Sequence, residues 1–132
     1  MGLNEYCEAA YKAAKDKGFH DGDEKHIAVP LLLIISEVVE AMEADRKNGK
    51  VIGYPKRDFL EIEKAANNIG SEIDFPLTFK TYVKDSVEDE IADAAIRIFD
   101  FCGSRGIDLE WHVQQKMKYN ATREQMHGGK KY

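Results

Sequence analysis

From Pro30 to Lys47 apolar side chains return with a period near 3.6, so that Leu31, Ile34, Ile35, Val38, Val39 and Met42 form one face of a helix. A chain carrying such a stripe must cover it, which demands a helical packing partner. Pro30 suits the first turn of that helix, predicted from His26 or Pro30 to Lys47 and ended by Asn48-Gly49. Three other segments repeat the period. Glu5 to Lys17 is Ala-rich, with Tyr6, Ala9, Ala10, Ala13 and Ala14 at helical spacing, and stops at Gly18. Phe79 to Phe101 offers Val83, Val87, Ile91, Ala94, Ala95, Ile98 and Phe101 as core, and Asp108 can cap a last helix from Leu109 to Arg123. The stretch 48–78, punctuated by Gly53, Pro55, Gly70 and Pro76, keeps no sustained period; it reads as an insertion with a short helix over Asp58 to Asn67. No segment alternates like a strand. The expectation is a single all-α domain over residues 1–132, a bundle of about four helices completed by oligomerisation.

Composition narrows the class. At 132 residues, 43% apolar and 33% charged, the chain is too apolar for a disordered segment and too polar for a membrane protein. A formal net charge of -5 has the wrong sign for a binder of nucleic acid polymers. The start MGLNEYCEAA lacks a basic end followed by an apolar stretch, and the apolar run Ile27 to Ile35 is interrupted by Pro30 and far too short to span a membrane. Cys7 and Cys102 show no metal-site spacing, so reduced thiols in a cytoplasmic protein are expected.

Chemistry concentrates in two patterns. Glu37 and Glu40 lie three apart at the flank of the apolar stripe, on a face shared with Leu33 and Ala44; Glu90 and Asp93 are likewise three apart on the later helix, with Arg97 beside them. Like charges at this spacing repel, which a cation relieves. Four carboxylates from two helices supply the hard oxygens that Mg²⁺ or Mn²⁺ takes, although two ordinary solvated helix faces would read the same way. On the last helix His112, Lys116, Tyr119, Asn120 and Arg123 form one stripe. Taken alone it is a basic surface helix; opposite an acidic face, its cations can hold phosphates, its amide a sugar or base edge, and its tyrosine can stack.

Competing motifs fail. Gly128-Gly129-Lys130-Lys131 lacks phosphate-loop spacing, and no GxGxxG occurs. Glu124-Gln125-Met126-His127 is a single ExxH at the tail, where a di-iron bundle needs two on core-facing helices. Ser36 and Ser86 have no neighbouring His in sequence, and Trp111 and the phenylalanines read as core.

The run Leu31-Leu32-Leu33-Ile34-Ile35-Ser36-Glu37-Val38-Val39-Glu40-Ala41-Met42-Glu43-Ala44, the later Glu88-Asp89-Glu90-Ile91-Ala92-Asp93-Ala94, and Lys116 to Arg123 resemble the MazG-like branch of the all-α nucleoside triphosphate pyrophosphohydrolases. The resemblance covers most of the chain, is weakest in 48–78 and returns in His127 to Tyr132. It implies Mg²⁺ held by Glu37, Glu40, Glu90 and Asp93, a nucleotide-facing Lys116, Asn120 and Arg123 with Tyr119 in the same pattern, and a homodimer or homotetramer. One departure is the interval of 49 residues between Glu40 and Glu90, longer than in the family. The implied reaction is hydrolysis of a nucleoside triphosphate, deoxyribo or non-canonical, to the monophosphate and pyrophosphate. The alternatives are a non-catalytic nucleotide- or metal-sensing helical module, and a structural protein whose acidic and basic faces pair across an interface.

Overall fold

The computed structural model describes residues 1–22 and 26–123. Among them are six helices and no strand: α1 Leu3–Asp16, α2 Ala28–Asn48, α3 Tyr54–Asn68, α4 Phe75–Tyr82, α5 Val87–Ser104 and α6 Leu109–Ala121. The all-α expectation holds, with six helices in place of about four. No helix is long and apolar enough to cross a membrane among the described residues. The Glu124-to-His127 motif and the Gly- and Lys-rich tail lie outside the described residues.

The extra helices have local causes. Within 48–78, α3 starts at Tyr54, four residues before its expected start, because Pro55 fits its first turn and Gly53 turns the chain in at φ +91. Asp74 caps α4, accepting from the Leu77 amide at 3.2 Å. The helix expected over Phe79 to Phe101 is in fact the end of α4 and most of α5. Asp85 breaks it in the left-handed region at φ +62, and fully buried Ser86 caps α5 by accepting from the Asp89 amide at 3.1 Å.

The chain divides into two compact units, with α5 contributing to both. One holds Met1–Gly22 and the chain from Phe99 onward. In it α1 packs on α6, Tyr6 stacks on Phe99 with ring centres 5.5 Å apart, and Cys7 and Cys102 are buried. Asp108 caps α6 as expected, accepting from the Trp111 amide at 3.0 Å and from Asn4 Nδ2 at 2.8 Å. These two hydrogen bonds, Asn4's the stronger, hold its carboxyl below the ordinary range. Trp111, expected in the core, is 53% exposed.

The other unit runs to Ile98 and contains α2, α3, α4 and the first part of α5. Here α3 packs on α4 through Phe59, Phe75 and Phe79. On α2 the buried positions are Glu37, Ala41 and Ala44, and on α5 they are Glu90 and Ala94. Most of the expected core stripe therefore faces out: Leu31, Ile35, Val38, Val39 and Met42 are 41–57% exposed, and of the six only Ile34 is half-buried. The inward face thus carries two alanines and a carboxylate, and the larger apolar side chains of α2 stay outside.

Candidate metal centre

The inward face of α2 brings Glu37, and Glu40 one turn on, toward Glu90 of α5. Carboxylate oxygens of the three lie within 4.8 Å of one another. Glu37 and Glu90 are 8% and 9% exposed, while Glu40 opens to solvent. Arg97, two turns further along the same face of α5, donates from Nε to Glu37 Oε1 at 2.5 Å. That contact is charge-assisted and fixes one oxygen of Glu37, leaving the other for a ligand.

Three carboxylates converging in a partly dry site cannot all stay charged without compensation. Burial first, then the charge of Glu40 and a hydrogen bond to it, push the Glu90 carboxyl up to about 7. Asp93 is raised as well, by burial first and then by Asp89 and Glu37, with Arg97 and Lys84 opposing. Of the four carboxylates expected to converge, Asp93 stands apart: it acts on the trio through charge and is not one of the three mutually close groups. Spacing alone put it beside Glu90. Helix rotation turns it to a more exposed position.

The sequence reading missed a second acidic group, Asp85, Asp89 and Glu90, which shares Glu90 with the first. It arises from the break at Asp85, whose amide donates to Asp89 Oδ2 at 2.9 Å. The Ser86-x-x-Asp89 spacing was the signal for this helix start. A cavity of about 180 Å³ adjoins both groups, lined by Glu40, Glu43, Ala44, Lys47, Asp85 and Glu90. Lys47, also missed, brings a cation to the wall and pairs with Glu43 at 3.1 Å. The cavity is smaller than the roughly 300–1,000 Å³ of small-molecule sites, so it suits an ion with waters and a phosphate group, not a whole nucleotide.

The donor set fits Mg²⁺ or Mn²⁺. Oxygens around one Mg²⁺ at about 2.1 Å lie no more than about 4.2 Å apart, so a small closure of three flexible carboxylates suffices. A divalent cation and the Arg97 guanidinium together balance three negative charges, which removes the reason for Glu90 to hold a proton.

The basic stripe belongs to the other unit. Lys116, Tyr119 and Asn120 are exposed on α6, with Lys116 Nζ 5.2 Å from the Tyr119 ring centre. Arg123, expected on the same helix, lies beyond its end: Thr122 closes the last turn, its hydroxyl donating to the Tyr119 carbonyl at 2.7 Å, and the Arg123 amide bonds to the Asn120 carbonyl. No family model matches this chain, and comparison with curated proteins and with solved structures finds no match either.

Proposed function

We propose that this protein is a metal-dependent hydrolase that cleaves nucleoside triphosphates, deoxyribo or non-canonical, between the α and β phosphates. The observation that carries this reading is the convergence of Glu37, Glu40 and Glu90 within 4.8 Å on two helices beside a cavity of about 180 Å³. Mg²⁺ or Mn²⁺ bound there supplies Lewis-acid polarisation of phosphate oxygens and a more acidic water. Glu37, Glu40 and Glu90 hold it, with Asp93 adding negative charge from outside the trio. Glu37 is engaged by Arg97, so Glu40, open to solvent and without that partner, takes the proton from the attacking water. Lys116 and Arg123 offset phosphate charge, Asn120 hydrogen-bonds the nucleoside and Tyr119 stacks on the base.

The working form is a homodimer or homotetramer. Supporting this, Leu31, Leu32, Ile35, Val38, Val39 and Met42 make an exposed apolar face roughly 120° wide on one helix. Isolated chains do not leave such a face in water.

The test is pyrophosphate release from a panel of standard and modified ribo- and deoxyribonucleoside triphosphates, with Mg²⁺ and with EDTA, for wild type and Glu37→Ala. Metal-dependent release that the variant loses supports the reading, and the ranking identifies the substrate. Absence of release, with Mg²⁺-dependent thermal stabilisation by one triphosphate, replaces it with a sensing module. Absence of both leaves a structural protein.

A further inference from the structure

The two cysteines, 95 positions apart in sequence, meet in the fold. Cys7 on α1 is 3% exposed and Cys102 near the end of α5 is 5% exposed. The two thiols are neighbours, each acting on the other's ionisation. The backbones around them are locked close. A Cβ on Gly103 would lie 2.3 Å from the Cys7 carbonyl oxygen and 2.8 Å from Tyr11 Cβ, so only glycine permits this crossing. Tyr6 stacked on Phe99 one turn away holds the same pair of helices in register. Neither thiol serves the carboxylate site.

We propose that Cys7 and Cys102 are a reversible dithiol–disulfide pair, oxidised by a small-molecule disulfide such as oxidised glutathione. One cysteine sulfur attacks the external disulfide, forming a mixed disulfide and releasing one small thiol. The second cysteine sulfur then attacks the protein sulfur of that intermediate, forming the Cys7–Cys102 bond and releasing the second small thiol. The two cysteines lose two electrons and two protons, and the external disulfide gains them. The second step is intramolecular between neighbouring sulfurs on a crossing that Gly103 holds close, so the mixed disulfide does not persist. The first step is slow, because burial raises both thiols and keeps them protonated. The pair is thus inert to brief exposure and answers to a sustained oxidising poise. The oxidised form ties α1 to α5 across 94 intervening residues, which restricts the unfolded chain strongly.

The experiment equilibrates the full chain in glutathione buffers of graded ratio, then quenches with acid, denatures, alkylates and measures intact mass. The expected result is a single transition from a doubly alkylated species to an unalkylated one whose mass lies two hydrogens below that of the unmodified reduced chain. It should carry a rise in Tm of about 5 °C or more, reversed by dithiothreitol. Cys102→Ser and Cys7→Ala should each lose the transition and the Tm shift, and accumulate the mixed disulfide on the remaining cysteine. The proposal is overturned if wild type stays doubly alkylated at the most oxidising ratio even with subdenaturing urea to open the crossing. Glutathione adducts on both cysteines, or chains linked to one another, overturn it equally.

Discussion

The two faces of α2 are built from opposite materials and do opposite things. The inward face carries Glu37, Ala41 and Ala44; the outward face, about 150° around the helix, carries Leu31, Ile35, Val38, Val39 and Met42. An amphipathic helix ordinarily buries the second kind. Here the chain folds Glu37 into its own interior and leaves the greasy face open. The difference teaches that burial in one chain and hydrophobicity are separable: the buried face of α2 carries small residues and a carboxylate, while its large apolar residues stay exposed.

Removing the inward carboxylate should give the largest effect. Glu37→Ala is expected to cut metal-dependent turnover by about 10³-fold or more while circular dichroism shows the helix content nearly intact. Full activity in the variant would take Glu37 out of the site. Placing charge on the outward face comes next. Ile35→Asp with Val39→Asp is expected to weaken self-association by about 10²-fold or more, because burying carboxylates in an apolar interface costs several kcal/mol. Light scattering should then report the single-chain mass of 15.0 kDa. Wild type already at that mass would end the idea that the stripe joins copies.

The inward face is buried where the outward face is open. Ala44→Leu, at a position 7% exposed, should destabilise by about 1–3 kcal/mol in urea unfolding, whereas Val38→Leu, half exposed, should not do so in the single chain. Equal losses would show the two faces to be alike. The inward face should also be pH-sensitive. Glu90 holds its proton up to about 7 in the fold against an ordinary 4.5, so the folded chain binds the proton more tightly than the unfolded one. That contribution is complete below the ordinary value and disappears as pH rises through about 7. The metal-free Tm should therefore fall between pH 5 and 8, Glu90→Gln should flatten the slope, and Mn²⁺ should restore stability at pH 8. A wild-type slope unchanged by Glu90→Gln would assign it elsewhere. The smallest effect belongs to the exposed stripe of α6: Lys116→Met should raise KM by about 10-fold with kcat little changed, as for a residue that binds phosphate in ground and transition states alike.

Much of this is legible in the sequence. Period 3.6, Pro30, Gly18 and the Asp108 cap placed α1, α2 and α6 to within a few residues, since those signals are local. The ExxE and ExxD spacings marked three residues that converge and one, Asp93, that only approaches. The helix break at Asp85 was hidden because Val83 and Val87 keep helical spacing across it, although Ser86-x-x-Asp89 marked the new start. The meeting of Cys7 with Cys102 and the placing of Lys47 by Glu90 left no mark, being long-range.

The sequence by itself determined the helical class, most helix ends and the presence of an apolar and an acidic face on α2, because each follows from spacing along one helix. Only the tertiary structure decided which face turned inward. The burial of Ala41, Ala44 and Ala94 and the meeting of Arg97 with Glu37 belong to that choice, and both exist only between helices.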